Sequence, residues 1–245
     1  MTHQAVQSAL RKFASTAKAK AARRFFKTGP GQYGHQEQFL GVTVPEQRRV
    51  VKAFKALPLT EIWALLASDA HEDRLTALLI LTGQYPKASP NQQNAIIDGF
   101  LTHKDRVNQW DLVDSTAHQL LGTHVLNRQL PLTLLTELAH ANSLWDRRIA
   151  MVATYAFIKA GQFEPTFQLA DILLNDPEDL IHKAVGWMLR EVGKAAEKTG
   201  ETRILEDFLT SRYRQMPRTM VRYAIEKWPA DKRQKWSAKS SSKQE

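Results

Sequence analysis

The sequence predicts an all-α fold, an α-solenoid of short HEAT-like helical repeats that curves around a basic concave face. Apolar residues recur at helical spacing along most of the chain, no segment shows sustained two-residue alternation, and similar helices return at a nearly constant interval. A chain of 245 residues is long enough to bury a sizeable core. We therefore expect a single elongated helical domain over residues 1–236.

The N-terminal segment is basic and is predicted to form one helix over residues 3–27. Residues 28–41, TGPGQYGHQEQFLG, contain four of the eleven glycines, and this density predicts a loop. The final residues, 237–245, are almost entirely polar and offer nothing to bury, which predicts a disordered tail.

Between the loop and the tail, residues 45–236 are expected to form the repeats. Prolines fall between the apolar-periodic segments, where each of them begins or ends a helix. The predicted helical segments are 61–67, 74–82, 94–101, 110–121, 131–139, 145–158, 166–174, 180–193 and 203–213.

Four of these helices and a further stretch at 221–229 align with one another at intervals of 37, 37, 35 and 39 residues. An interval slightly under about 40 residues, with two helices per unit, is typical of HEAT-like repeats. Four of the five aligned positions are basic, so we expect a ladder of positive charge along one wall. The alternative is that these residues are solvated ends of amphipathic helices. The aligned positions are Arg74, Asp111, Arg148, Lys183 and Arg222.

The net charge of +9 and the pI near 9.7 favour a polyanionic partner, nucleic acid first and a membrane surface second. A merely basic surface is the alternative. The absence of cysteine excludes disulfides, thiolate chemistry and cysteine-ligated metals, and the eight histidines lack the spacing of metal ligands. We expect no metal and no cofactor. With no apolar run near the ~18 residues that span a bilayer and no secretory signal, we expect a cytoplasmic monomer that associates with the nucleoid when bound to DNA.

One short stretch, VNQWDLVDST at 107–116, places Trp110 four residues before Asp114. In a helix this spacing puts the indole and the carboxylate on one face, one turn apart. Such a pair is either a consequence of core packing or part of a functional site.

The sequence contains four motifs, which are QFLGVTVPEQRR (38–49), QWDLVD (109–114), LWDRR (144–148) and HKAVGWMLRE (182–191). Together they resemble the AlkD-like HEAT-repeat DNA glycosylases of the DNA alkylation repair family. The resemblance extends from about Arg23 to about Trp228, and the motifs occur in the order and at the spacing of that family. It implies an enzyme that cleaves the N-glycosidic bond of positively charged alkylated purines in duplex DNA, such as 3-methyladenine and 7-methylguanine, without flipping the base.

By these motifs the catalytic acid of the family falls on Asp114, and its two sugar-contacting indoles fall on Trp110 and Trp187. The functional arginine of the W-x-x-R element falls on Arg148, with Arg147 beside it. Phe25 stands where the family can carry a tyrosine, so a role that needs that hydroxyl is not carried over.

Duplex DNA is the expected partner, with phosphate contacts from basic residues of the ladder and of the N-terminal helix. The alternative function is a non-catalytic HEAT-repeat module that binds damaged or branched DNA or a protein. The predicted DNA contacts are Phe25, Lys27, Arg147, Arg148, Lys183, Arg190, Arg218 and Arg222, together with Lys18, Lys20, Arg23 and Arg24.

Overall fold

The computed structural model describes residues 1–239, of which 237–239 are described in backbone only. These residues form helices and connecting segments, with a single isolated bridge between Gln38 and Ala70 and no strand in the described part. The predicted all-α fold is confirmed. From residue 240 onward, the tail predicted over 237–245 lies outside the described residues.

The chain divides into two compact units. The first is Met1–Thr116, and the second begins at Ala117. Short 3-10 turns at Tyr85–Lys87 and Lys104–Arg106 complete the first unit. Its helices are α1 (His3–Arg11), α2 (Thr16–Phe25), α3 (Val44–Ala53), α4 (Leu59–Leu66), α5 (His71–Gln84), α6 (Pro90–Thr102) and α7 (Trp110–Thr116).

Helix α5 is the centre of the first unit. Every residue from 71 to 81 is buried, because α1, α3, α4 and α7 pack around it. Its first turn carries four charged or titratable residues into the interior, His71, Glu72, Asp73 and Arg74. Buried groups of this kind are tolerated only when they are paired or hydrogen-bonded.

The N-terminal segment departs from the prediction, because residues 3–27 form two helices rather than one. The break lies where Ser15 caps α2 by accepting the N–H of Lys18, while its own N–H donates to the carbonyl of Leu40 at 3.0 Å. Gly41 makes this approach possible: its φ is +79°, and an added Cβ would lie 2.1 Å from the Ser15 carbonyl oxygen. A tertiary contact therefore divides the predicted helix.

The loop predicted over 28–41 is irregular, as expected. Its end is held by the buried carboxylate of Glu72, which accepts the backbone N–H groups of Leu40, Gly41 and Val42 at 2.9, 2.7 and 3.1 Å. The loop is thus fastened to α5 immediately before α3 begins.

The second unit opens with a single π-helical turn, His118–Gly122. Its longest helix, α13 (Asp179–Thr199), has 21 residues and packs against α10 (Leu144–Ala153) and α15 (Arg218–Ala224). The helices of the second unit are α8 (Thr123–Leu126), α9 (Thr133–Ala139), α10 (Leu144–Ala153), α11 (Tyr155–Lys159), α12 (Glu164–Ile172), α13 (Asp179–Thr199), α14 (Ile204–Arg212), α15 (Arg218–Ala224) and α16 (Ala230–Lys239).

Two predicted helices are subdivided in the structure. The segment predicted as helix over 110–121 becomes α7 and the π-helical turn, and the segment 145–158 becomes α10 and α11. Gly122, the last residue of the π-helical turn, lies close to the end of α10, since an added Cβ on it would lie 2.2 Å from the carbonyl oxygen of Ala153. Over residues 1–239, no helix combines the length and the apolar character that crossing a membrane requires.

Candidate functional site

Helix α7 carries the first of the predicted catalytic groups. Trp110 is its first residue and Asp114 lies one turn further along; both side chains are half-buried. The backbone N–H of Trp110 donates to the side-chain oxygen of the buried Gln109 at 3.2 Å. The helical geometry that places the indole and the carboxylate on one face is therefore present.

The indole of Trp110 lies in an aromatic cluster, which consists of Phe25, Phe26, Phe39 and Trp110 itself. The Phe26 ring stacks on Trp110 with centroids 5.1 Å apart, and its centroid lies 5.0 Å from that of Phe39. Phe25 meets the indole edge-on at 5.5 Å and is 66% exposed. The structure thus brings Phe25 and Trp110 together at the surface of the first unit.

Next to these rings lies a group of charged residues, which we call the imidazole cluster. It consists of Glu37, His71, Arg74 and Asp111. The His71 ring centroid lies 5.0 Å from that of Phe26. Its Nε2 is 2.8 Å from Oδ2 of Asp111, and its Nδ1 is 3.2 Å from Oε1 of Glu37. Arg74 forms an ion pair with the same oxygen of Glu37.

The charges of this cluster follow from its contacts. Burial lowers the pKa of His71, but hydrogen bonds and negative charge from Asp111 and Glu37 outweigh burial and raise the pKa to about 9. Burial raises the pKa of the Glu37 carboxyl, and the hydrogen bond from His71 together with the charge of Arg74 brings that pKa below its usual value. At neutral pH His71 is therefore an imidazolium beside ionised Glu37.

The second predicted indole, Trp187, lies near the middle of α13 and is half-buried. Its ring centroid is 6.3 Å from that of Tyr155 on α11. Tyr155 in turn meets His118 edge-on at 5.2 Å, and the Nζ of Lys159 lies 5.1 Å from the Tyr155 ring centroid. Trp187 is thus one member of an aromatic group within the second unit.

The two arginines of the W-x-x-R element make bonds inside the second unit. Arg147 donates to both carboxylate oxygens of Asp176, at 2.6 and 3.4 Å, and to the carbonyls of Ala141 and Asn142. Arg148 is 5% exposed and donates to the carbonyl of Leu180. Their predicted contact with DNA stays a prediction, and the structure gives both a role in packing.

The remaining predicted DNA contacts fall into two groups. Lys183 pairs with Asp179 at 2.7 Å, and Arg190 pairs with Glu191 and Glu226. The second group consists of exposed side chains, which are Lys27, Arg218 and Arg222, joined by Lys18, Lys20, Arg23 and Arg24 on α2.

Sequence reasoning did not single out Phe26, Phe39, Glu37 or His71. The adjacency of Phe26 to Phe25 and the position of His71 at the head of an apolar helix are signals in the sequence. Nothing in the sequence connects Glu37 to Asp111, because they meet only through the folded loop. In the part of the chain that the structure describes, no group of histidine and acidic side chains is arranged to hold a metal ion.

Comparisons with known proteins identify the family of the chain. The family model for the DNA alkylation repair enzyme matches residues 6–228. A solved structure of a predicted DNA alkylation repair enzyme from Enterococcus faecalis is 18% identical, with a TM-score of 0.68 over 89% of this chain and 97% of that chain; at this identity it shows the α-solenoid fold alone. No curated protein matches the chain. The predicted resemblance is confirmed: the chain belongs to the family of DNA alkylation repair enzymes.

Proposed function

We propose that this chain is a monofunctional DNA glycosylase that hydrolyses the N-glycosidic bond of positively charged alkylated purines, of the 3-methyladenine and 7-methylguanine type, in duplex DNA. Membership of the family supports a role in the repair of alkylated DNA. The observation that carries the finer proposal is the pair on α7, where a carboxylate lies one turn beyond an indole that aromatic rings hold in place.

The chemistry suits these groups. As the bond between the purine and C1′ lengthens, positive charge develops on the sugar, and a nearby carboxylate stabilises that charge and orients the attacking water. We assign this role to Asp114. Water adds its oxygen to C1′ and loses one proton to the solvent, while the cationic alkylated purine takes the bonding electrons and leaves as a neutral base, which produces an abasic sugar.

Indoles assist because the face of an aromatic ring attracts cations, by ~0.5–2 kcal/mol each depending on desolvation. We propose that Trp110 and Trp187 contact the deoxyribose. A cationic purine is a better leaving group than a neutral base, so selectivity follows from the lesion itself. No closed pocket is then required, and we propose excision with the lesion largely within the duplex.

Phosphate contacts supply the affinity for DNA. Several members of the predicted set are exposed and can reach a phosphate without giving up an ion pair seen in the described residues. They are Lys20, Arg23, Arg24, Lys27, Arg218 and Arg222. Because such contacts release counterions, binding is expected to be independent of sequence and to weaken by more than about threefold between ~50 and ~200 mM salt.

Base release tests the proposal directly. Duplex DNA that carries 7-methylguanine is incubated with the parent chain, with Asp114→Asn and with Asp98→Asn, an exposed helical aspartate of the first unit that serves as the matched control. We expect Asp114→Asn to lower excision by about tenfold or more at nearly unchanged DNA affinity, and Asp98→Asn to match the parent.

Other outcomes would redirect the proposal. Binding to damaged DNA without release of the base by the parent supports the non-catalytic module instead. Unchanged excision in Asp114→Asn removes this carboxylate from the mechanism. Loss of excision when the alkyl group is replaced by a bulky cationic adduct indicates a closed pocket.

A further inference from the structure

The imidazole cluster contains a histidine whose two ring nitrogens both face carboxylates. His71 is 2% exposed, with Nε2 at 2.8 Å from Asp111 and Nδ1 at 3.2 Å from Glu37. An ionised carboxylate only accepts hydrogen bonds, so each nitrogen must carry a proton. Between two ionised carboxylates, this geometry is that of an imidazolium.

The surrounding charges support that state. Arg74 on the same helix pairs with Glu37 and also donates to Asn108, so two cations and two carboxylates balance inside the first unit. The neighbouring Glu72 on α5 is occupied by three backbone N–H groups of the loop and does not compete for the ring. A buried set of this kind is stable when complete and costly when one member is removed.

His71 reaches the indole of Trp110 by two routes. Asp111, its partner on α7, is the residue directly after Trp110, and the other oxygen of Asp111 is buried with no hydrogen-bond partner among the described residues. The His71 ring also adjoins Phe26, which stacks on Trp110. One route orients the backbone of α7, and the other supports the face of the indole.

We propose that His71 is a positioning residue, whose imidazolium holds the first turn of α7 through Asp111 and thereby sets the orientation of Trp110 and Asp114. This inference rests on the proposed function of those two residues. Because His71 is buried, we assign it no contact with the substrate. It acts by fixing the helix that presents them.

The charge state is the first test and needs no activity. The ring nitrogens of His71 are observed by nitrogen-15 NMR of the wild-type chain at about pH 7.5, above the ordinary histidine pKa of ~6.5. We expect the chemical shifts of a doubly protonated ring. The shifts of a neutral tautomer would overturn the inference, whatever the chain does to DNA.

The second test measures positioning. Single-turnover excision of 7-methylguanine and affinity for duplex DNA are compared for His71→Gln, Asp111→Asn and the double variant, well below their melting temperatures. We expect each single change to lower the excision rate by about tenfold with less than about a threefold change in affinity. Because both changes break the same link, the double variant should be no more than about threefold slower than either.

A matched control separates this role from simple packing. His103 is another histidine of the first unit in an aromatic contact. It stacks on Trp63, and among the described residues its Nδ1 faces the carbonyl of Gly99, at 2.8 Å, rather than a carboxylate. We expect His103→Gln to stay within about twofold of the parent. A folded His71→Gln that excises at the parental rate, or a double variant with multiplied losses, contradicts the inference.

Failure of this inference is distinguishable from failure of the proposed function. If the parent releases no base, the proposed function fails, and the emission of Trp110, taken as the difference between the parent and Trp110→Phe, still reports positioning. A shift of that emission in His71→Gln supports the inference, and an unchanged emission overturns it.

Discussion

Each unit of the molecule contains an arginine whose guanidinium donates hydrogen bonds to two backbone carbonyls of the turn before its own helix. We call this arrangement an arginine clamp. In the first unit, Arg74 donates to the carbonyl six residues earlier at 3.2 Å and to the carbonyl five residues earlier at 3.1 Å. In the second unit, Arg147 donates to the carbonyls six and five residues earlier at 3.1 and 2.8 Å. Each also pairs with a carboxylate from another segment. The sequence repeat aligned Arg74 with Arg148, whereas the hydrogen bonds align it with Arg147, one residue away.

The two clamps differ in what their carboxylates do next. Asp176, the partner of Arg147, also accepts the N–H of Glu178 at 2.9 Å and so organises the turn that leads into α13. Glu37, the partner of Arg74, is bound in addition by His71, which adjoins the aromatic cluster. The same arginine–carboxylate arrangement therefore supports packing in the second unit. In the first unit it also includes His71, a titratable residue next to the candidate site.

The largest expected effect is a loss of stability that differs between variants of the two clamp arginines. Arg74→Ala leaves Glu37 buried without its guanidinium, and we expect the free energy of unfolding to fall by about 3–5 kcal/mol. Arg147 is more exposed than Arg74, at 13% against 4%, so Arg147→Ala should cost about 2–3 kcal/mol. Urea denaturation measures both. The exposed Arg222→Ala is the control, with a change below about 0.5 kcal/mol, and an equal or greater loss for Arg147→Ala contradicts the comparison.

The pH dependence of stability sharpens the contrast for the first unit. The pKa of His71 is raised in the folded chain to about 9, so its contribution to stability is fully present below the unfolded value of ~6.5 and is lost as pH rises through about 9. We expect a loss on the order of 3 kcal/mol across that window. Denaturant midpoints at a series of pH values measure it. His71→Gln should remove this dependence, and a parental profile in that variant would rule out His71 as its source.

A smaller effect is expected from a glycine in each unit. Gly122→Ala places a Cβ 2.2 Å from the Ala153 carbonyl oxygen, and the required backbone shift should cost about 1–3 kcal/mol. Gly83→Ala on α5 meets nothing within 4 Å, and greater helix propensity should leave stability unchanged or raise it by up to ~1 kcal/mol. Melting temperatures compare the two variants. A loss of stability in Gly83→Ala would contradict this expectation and indicate a constraint on the backbone at the end of α5.

The smallest effect concerns Trp187. If this indole contacts the sugar, Trp187→Ala should weaken binding to DNA containing an abasic analogue by about five- to tenfold, equivalent to roughly 1 kcal/mol. The melting temperature should change little, and Trp187→Phe should retain part of the affinity. A collapse of the melting temperature with unchanged affinity would instead make Trp187 a core residue.

Much of the fold was predictable because helical periodicity is local. The segments 74–82 and 94–101 lie within α5 and α6, and the predicted 180–193 lies within α13. One error in helix boundaries lies where distant backbone approaches closely, since the N-terminal helix is divided where Ser15 bonds to Leu40.

The candidate site was only partly predictable. The four-residue spacing placed Trp110 and Asp114 on one helical face, and α7 contains both. The basic ladder was less predictable, since a periodic arginine has the same sequence pattern whether it faces solvent or the interior. Arg74 and Arg148 are buried, while Arg222 is exposed.

The sequence by itself determined the helical class of the protein and the indole–carboxylate pair, because both depend on residues close together in the chain. It also determined the family, because the order and spacing of motifs are properties of the sequence. Only the tertiary structure decided that Glu37 and Asp111 meet on opposite sides of His71. That arrangement depends on a loop folding back over α5. The charge of a buried histidine is set by the partners that folding brings to it, and these are far from it in sequence.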